Sequence, residues 1–263
     1  MKILGISFGE HCCGITLLED GEIKFSLEEE RHVRVKTYDD FYSGYFRYPK
    51  ASIKSAISRF GLEIESLDKI TSYYPEEEVK LFWEKMGLGG FPSDKFVFID
   101  HHDAHAATAY YLSNYDEDAL VVTLDASGGE FSAKYFVGSN GQLEYIDGLS
   151  IEKKSFGHLY SLITEFLGFK RLKDEGKVVG MAAHGNYEGI VYKALDESFK
   201  VLGTQTDDDN KKNSEGVILG KLYSDFYTSF YKELGSKVYM GTKEDIAYTG
   251  QKFFEDKVLT LFN

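Results

Sequence analysis

The chain has 263 residues, of which 43% are hydrophobic and 15% aromatic, and its formal charge is −13. The apolar content is sufficient for a large core, and the acidic balance argues against a nucleic-acid backbone as the main partner. No apolar run reaches the roughly 18–20 residues that cross a bilayer, and the first residues have the pattern of a strand rather than a signal peptide. We therefore expect a folded, cytoplasmic protein. The adjacent Cys12 and Cys13 predict buried, reduced thiols and no disulfide framework.

Short β-favouring runs predict a three-stranded meander at the start of the chain, over residues 2–8, 13–18 and 22–27. Asp20-Gly21, between the second and third runs, is a strong hairpin signal. The same pattern returns over residues 119–124, 131–137 and 142–146, with a glycine-bearing loop at 125–129 and a tight turn at Asn140-Gly141. This repeated layout resembles the duplicated actin-like and sugar-kinase-like ATPase folds, whose two first hairpin loops face each other and hold phosphates. Two unrelated meanders are the alternative.

The remaining chain alternates between helical and β-favouring patterns. We predict a helix over residues 49–60, strands over 69–74 and 95–99, and helices over 157–167, 192–202, 219–234 and 243–262. This alternation predicts an α/β fold. We expect a first lobe over residues 1–115, and over residues 116–263 the start of a second lobe with a helical segment, incomplete at its carboxyl end. The acidic run at 207–209 lies in a polar stretch at 206–216 and is typical of a solvated loop.

Three of the seven histidines fall within five residues, at His101, His102 and His105, directly after a predicted strand. If a helix begins here, His101 and His105 lie on one face at i and i+4, which suits one transition-metal ion. His102 would then point elsewhere. The nearest good candidate for a third ligand is the carboxylate of Asp125, at the end of the strand that opens the second meander. The alternative is a helix N-terminus with surface histidines, capped by one of two nearby aspartates.

Two glycine-bearing segments suggest anion binding. Gly128 and Gly129, in the loop after Asp125, allow a backbone to approach an anion and present N–H donors to it, although any tight hairpin has similar glycines without a ligand. In the second segment, at 175–185, four residues are candidates to line a nucleotide or phosphate pocket: Glu175, Gly176, Lys177 and Gly180. This segment does not match the Walker pattern.

A charge-dense run leaves the first meander at residues 28–36. Such a run is usually a solvated face. In the functional alternative, Arg34 and Lys36 supply cations to a phosphoryl or carbamoyl group, since guanidinium and ammonium groups pair well with such oxygens.

Several of these motifs follow one another in a fixed order: residues 1–8, 20–21, 28–36, 101–106, Asp125, Gly128, 157–160, 167–169, 175–185, 245–247 and Gln251. In this order they resemble the amino-terminal part of the carbamoyltransferases that modify nodulation factors, aminoglycosides and cephalosporin-type antibiotics. The resemblance extends over nearly the whole chain. One departure is that the family's first loop usually reads His-Asp-Ser, whereas His11 is followed here by two cysteines.

The resemblance implies an O-carbamoyl transfer. Carbamoyl phosphate and ATP give a carbamoyl-adenylate, and the carbamoyl group then passes to the hydroxyl of a small-molecule acceptor. The amino-terminal domain of the family is similar to tRNA threonylcarbamoyl-transfer enzymes and performs the transfer at a metal, with His101, His105 and Asp125 matching metal ligands. Iron(II) is the expected ion, and zinc and manganese suit the same ligands. Gly128 and Gly129 would admit the phosphates, and Arg34 and Lys36 would lie near the carbamoyl group.

In the family, a separate carboxy-terminal domain makes the adenylate, and a further metal aspartate lies downstream of residue 263. We therefore expect these residues not to complete the reaction unaided, and we expect a homodimer without nucleic-acid or membrane partners. Two alternatives remain. In the first, the chain is a metal-dependent ATPase or hydrolase of the same fold; in the second, it is a non-catalytic binding module with a degraded site.

Overall fold

The computed structural model has the α/β fold that the alternating sequence pattern predicts. It describes residues 1–8, 13–34, 48–115, 117–128, 131–146, 155–171, 173–201, 228–230, 232 and 241–262. The chain divides into two units, Met1–Ala104 and His105–Asn263. The division falls inside a helix, somewhat before the expected lobe boundary after residue 115, which stays a prediction. Among the described helices, none has the length and apolar content that crossing a membrane requires.

The first unit is built on a five-stranded sheet. Its strands are β1 (Lys2–Ser7), β2 (Gly14–Glu19), β3 (Glu22–Glu28), β4 (Lys69–Ser72) and β5 (Phe96–Phe98). Their order is β3-β2-β1-β4-β5. The first three strands pair antiparallel, whereas β4 and β5 run parallel to β1. The predicted first meander is therefore confirmed, and the parallel strands extend it into the sheet of an actin-like lobe.

Helices cover this sheet through apolar side chains. They are α1 (Glu29–Val33), α2 (Lys50–Phe60) and α3 (Glu76–Lys85). Phe82 and Trp83 of α3 and Ile53 of α2 pack in one core with Leu4 and Ile70 of the sheet. The α2 prediction is confirmed, whereas α3 is absent from the predictions. Its sequence opens with Pro75 followed by three glutamates, a favourable start for a helix because Pro suits the first turn and acids complement the dipole.

The second meander is also present. Helix α4 (His101–Leu112) precedes β6 (Ala119–Gly128), β7 (Phe131–Ser139) and β8 (Gln142–Tyr145), which pair antiparallel in the order β6-β7-β8. The predicted loop at 125–129 is wrong in part, because β6 continues to Gly128 through a shift in pairing between Leu124 and Gly128. Such a bulge bends a strand and redirects its side chains. Asp125, the candidate ligand, lies within this bulge.

The rest of the second unit is helical. Its helices are α5 (Phe156–Phe166), α6 (Glu175–Ala182), α7 (Gly189–Val201) and α8 (Lys243–Leu259), followed by a short 3₁₀ turn at Thr260–Phe262. The predicted helices at 157–167, 192–202 and 243–262 are confirmed within a few residues. The helix predicted at 219–234 lies mostly outside the described residues, and the polar stretch at 206–216 lies wholly outside them. Buried side chains of α5, α7 and α8 form one core, including Leu159, Leu195 and Phe253.

Candidate metal centre

Helix α4 places two of the three clustered histidines on one face. Asp100 begins the helix, because its Oδ1 accepts hydrogen bonds from the backbone N–H groups of His102 (2.9 Å) and Asp103 (3.3 Å). His102 is fully buried, whereas the His105 side chain is 55% exposed. An aspartate therefore caps the helix, as one of the sequence alternatives holds. The i, i+4 spacing places His101 and His105 on one face, and their role as metal ligands stays a prediction.

Asp125 of β6 completes a three-residue cluster with this pair. Its Oδ2 lies 3.2 Å from His105 Nε2, and the donor atoms of His101, His105 and Asp125 all lie within 4.8 Å of one another. Two donors bound to one ion at about 2.1 Å are at most about 4.2 Å apart, so a small side-chain adjustment is enough to close the cluster. Because α4 is continuous, the helix itself sets His101 relative to His105. Two imidazoles and one carboxylate fit iron(II), zinc or manganese.

Packing of α4 on the second sheet gives this geometry. Ala106 and Tyr110, which share the buried face of the helix, pack against Val121 of β6 and Phe136 of β7. His105 precedes Ala106 by one residue and therefore lies at the edge of that contact. The same strand, β6, carries Val121 in its regularly paired part and Asp125 in the pairing shift that follows Leu124. Apolar packing therefore brings the histidine helix to the strand that carries the carboxylate.

Electrostatics couple the two second-unit ligands. The hydrogen bond to Asp125 raises the pKa of His105 above its ordinary value of 6.5, and partial burial only reduces this shift. His158 of α5 differs, because burial lowers its pKa; Asp125 opposes that shift and Arg171 adds to it. Burial thus favours the neutral form of His158. The sequence predictions omitted His158, although it lies inside the motif at 157–160.

His101 has a separate support within the first unit. The Tyr73 ring meets the His101 imidazole edge to face at a centroid distance of 5.0 Å. The Tyr73 hydroxyl lies 3.2 Å from Ser7 Oγ and donates to the Phe8 carbonyl at 3.3 Å. Tyr73 therefore connects the end of β1 with a candidate metal ligand. No motif in the sequence singled out this tyrosine.

The predicted phosphate-binding residues fall on two elements. Gly128 is buried at the end of β6, and Gly129 lies outside the described residues. The other four lie on α6: Glu175, Gly176, Lys177 and Gly180. Glu175 Oε1 accepts a hydrogen bond from Ser161 Oγ at 2.7 Å, and Lys177 Nζ lies 2.8 Å from Asp174 Oδ1.

Gly176 and Gly180 share one face of α6 at a spacing of four. A methyl group at either position would meet no described atom within 4 Å. Packing against the described residues therefore does not require these two glycines. The open space beside them is compatible with a ligand that approaches the helix backbone.

The charge-dense run at 28–36 is not simply a solvated face, as its usual interpretation holds. Glu29 is only 3% exposed, and its carboxylate accepts hydrogen bonds from Ala51 N (2.9 Å), Ser52 N (2.8 Å) and Ser52 Oγ (2.9 Å). It thereby caps α2 from outside that helix. Arg34 is exposed, with a positive φ of 59° at the end of α1, and Lys36 lies outside the described residues.

Comparison with known proteins adds a family assignment. The model of the family described as Carbamoyltransferase N-terminus matches residues 79–263, a segment that contains all three ligands of the candidate metal centre. Among curated relatives, the uncharacterized protein MJ1058 of Methanocaldococcus jannaschii is 32% identical over 62% of this chain and 27% of its own length. The uncharacterized protein sll1178 of Synechocystis is 26% identical over 70% of this chain and 34% of its own length. The chain thus spans about a third of these relatives.

Solved structures overlap with the chain at low scores. The activator of the 2-hydroxyisocaproyl-CoA dehydratase from Clostridium difficile, with bound ADPNP, covers 100% of this chain and 98% of its own, with a TM-score of 0.39 and 12% identity. The Ppx/GppA phosphatase of Aquifex aeolicus covers 100% and 92%, with a TM-score of 0.36 and 16% identity. The fold class follows from the strand order of the first sheet and the repeated meander, not from these overlaps.

Proposed function

The chain belongs to the carbamoyltransferase family, and on that premise we propose that it is the transfer part of an O-carbamoyltransferase. In the proposed reaction a carbamoyl-adenylate, made from carbamoyl phosphate and ATP, gives its carbamoyl group to a hydroxyl of a small molecule. The acceptor oxygen forms a bond to the carbamoyl carbon, the bond from that carbon to AMP breaks, and the hydroxyl proton is released. The observation that carries the proposal is the His101, His105 and Asp125 cluster inside the segment that the family model matches.

These three residues would hold a divalent ion, with iron(II) as the first expectation and zinc or manganese as ions that suit the same ligands. When bound, such an ion supplies a Lewis acid and an anchor for a phosphate or carbamoyl oxygen. His105 must be neutral to act as a ligand. Asp125 lies 3.2 Å from His105 Nε2 and raises the pKa of that imidazole, so an ion that binds here takes the place of the proton.

Other residues of the chain would bind the substrates. Glu175, Gly176, Lys177 and Gly180 of α6 are the proposed nucleotide contacts, supported by the open space beside the two glycines. Gly128 and Gly129 would admit the phosphates.

Two cations are proposed for the carbamoyl group. Arg34, which is exposed, and Lys36 would pair with its developing negative charge. A carboxy-terminal adenylate-forming domain and a second copy of the chain are the proposed partners.

Metal content tests the proposal directly. We expect the wild-type chain to hold a divalent ion in stoichiometric amount, and His101→Ala, His105→Ala and Asp125→Asn each to lose it. Asp118→Asn is the matched control, because this exposed carboxylate lies just before the same strand and its Oδ1 accepts a hydrogen bond from Ser139. Equal metal content in all five proteins, or none in the wild type, would contradict the proposed centre.

The activity is tested in the chain supplied together with the proposed adenylate-forming domain. Radiolabelled carbamoyl phosphate is supplied with ATP and a panel of sugars and aminoglycosides, and label transferred to an acceptor is measured. The proposal expects transfer that requires both ATP and an intact Asp125. ATP hydrolysis that is independent of carbamoyl phosphate would instead support a metal-dependent ATPase.

A further inference from the structure

The first turn of α5 lies directly against the peptide that follows Asp125. Ser155, the N-cap of this helix, accepts a hydrogen bond from the backbone N–H of His158 at 3.0 Å. The same hydroxyl donates to the Ala126 carbonyl at 2.6 Å, and the Asp125 carbonyl lies 3.3 Å away. One side chain thus completes the start of α5 and ties it to β6 at the bulge.

Gly157 brings the helix even closer to this peptide. A Cβ at this position would lie 2.5 Å from Ala126 N, 2.7 Å from Ala126 Cα and 2.9 Å from the Asp125 carbonyl carbon. Ordinary contact begins at 3.4 Å, so every other residue type would force the helix and the strand apart. All three of these atoms belong to the backbone, so they cannot rotate away as the end of a side chain can.

The contacted peptide sets the direction of the Asp125 carboxylate. Ala126 N donates to Asp125 Oδ1 at 2.6 Å, while Oδ2 of the same carboxylate faces His105 Nε2 at 3.2 Å. A hydrogen bond on one oxygen leaves the other directed towards the histidine. Displacing Ala126 N would therefore turn the carboxylate out of the cluster.

We propose that Ser155 and Gly157 form a clamp that positions Asp125 for metal binding. The clamp rests on the proposed metal centre. It gives a role to residues 157–160, a motif that resembles the family but for which the sequence predicted no function. Leu159, Leu162 and Ile163 of α5 are fully or nearly fully buried, so the helix that carries the clamp is fixed in the core. Ser155 and Gly157 are positioning residues, because they act through Asp125 and contribute no donor atom to the cluster.

Loss of partners that orient a metal ligand weakens metal affinity by roughly 10–100-fold, and we expect an effect of that size from Gly157→Ala. Gly189→Ala is the matched control, because Gly189 also lies in the first turn of a helix and its added methyl would make only an ordinary contact, 3.8 Å from Tyr187. Ser155→Ala should weaken binding less than Gly157→Ala. Ser155→Thr should bind metal as the wild type does, since threonine keeps the hydroxyl.

Two readouts are measured on the full chain. Cobalt(II) titration, followed by visible absorption, gives the metal affinity and the coordination geometry. Amide hydrogen exchange of Ala126 in the metal-free chain reports whether its hydrogen bond to Asp125 persists. Thermal unfolding of each metal-free variant accompanies both, so that a general loss of stability is recognised.

Weaker cobalt binding together with faster Ala126 exchange in Gly157→Ala, and neither change in Gly189→Ala, is the expected result. A lower melting temperature with wild-type cobalt affinity and wild-type Ala126 exchange would overturn the clamp, and so would a Ser155→Ala variant that behaves as the wild type in both readouts. Failure of the wild type to bind cobalt would overturn the metal centre instead. In that case, Ala126 exchange alone decides whether the clamp orients Asp125.

Discussion

The two meanders share a backbone pattern but differ in what stands at the end of their first strand. Both second turns have an aspartate or asparagine followed by glycine with positive φ, at 51° and 85° for Asp20-Gly21 and at 51° and 73° for Asn140-Gly141. These are the dihedrals of the tight hairpin turn that matches strand twist. The repeated local structure therefore follows directly from repeated turn chemistry.

The residue after the regularly paired part of the first strand is Phe8 in one copy and Asp125 in the other. Phe8 is buried in an aromatic cluster with Tyr48, Tyr74 and Phe82, whereas Asp125 lies in a pairing shift and faces a histidine. One copy uses this position to build a core, and the other places a candidate metal ligand there. The repeated backbone thus provides an equivalent position in both copies, and the side chain at that position determines its role.

The largest effects should separate these two tasks. Phe8→Ala removes a fully buried ring and should lower the free energy of unfolding by about 3–5 kcal/mol, while the folded fraction keeps its metal. Asp125→Ala should abolish metal binding with a much smaller loss of stability. Denaturant unfolding and metal content of both variants provide the measurement. If Phe8→Ala lost metal while still folded, the division of tasks between the two copies would be wrong.

A second prediction concerns the buried carboxylate that caps α2 in the first unit. Glu29 caps α2 with a buried carboxylate, so Glu29→Gln, which removes the charge and turns one acceptor into a donor, should cost about 1–3 kcal/mol of stability. Glu28→Gln is the control, because Glu28 is exposed and pairs with exposed Arg31, and surface pairs contribute about 0–1 kcal/mol. Urea midpoints of the two variants are compared. Equal midpoints would show that the buried carboxylate does no more than its solvated neighbour.

The smallest effect concerns pH. The pKa of His105 is raised by Asp125, so in the metal-free chain this pair contributes stability below the ordinary value of 6.5 and loses it as pH rises through the raised pKa. A metal ion needs the neutral imidazole. Cobalt affinity should therefore increase as pH rises through the same range.

Cobalt titrations across a pH series measure this dependence, and the stability of the metal-free chain is followed in parallel. In the metal-free chain, Asp125→Asn should remove the loss of stability that accompanies the rise in pH. An affinity that does not change with pH would indicate that the ion does not take the place of a proton on His105.

Much of the fold could be predicted because its signals are local. Turn dipeptides and alternating apolar residues located both meanders, and apolar residues at helical spacing located α2, α5, α7 and α8. The i, i+4 spacing of His101 and His105 depends only on one helix, so this part of the candidate site was also readable. Asp125 was selected as the nearest good candidate carboxylate, at the end of a strand, and it lies 3.2 Å from His105.

Other features depend on partners that are distant in the sequence. The bulge in β6 replaces a predicted loop because β7 continues to pair with Gly128. Glu29 looked solvated because the N-terminus of α2, which it caps, begins 21 residues later at Lys50. Tyr73 carried no signal, since its role exists only where the end of β1 meets α4.

The sequence by itself determined the repeated strands, the acidic balance and the histidine pair, because turns, charge and helical spacing are properties of neighbouring residues. Only the tertiary structure decided that Asp125 faces His105, that Glu29 is buried, and that Gly157 must lack a side chain. Each of these depends on two backbones approaching to within a few ångströms, and close packing leaves no freedom at such places. The candidate histidine ligands are thus predictable from local sequence, whereas the placement of Asp125 and the residues that position it become visible only in the folded chain.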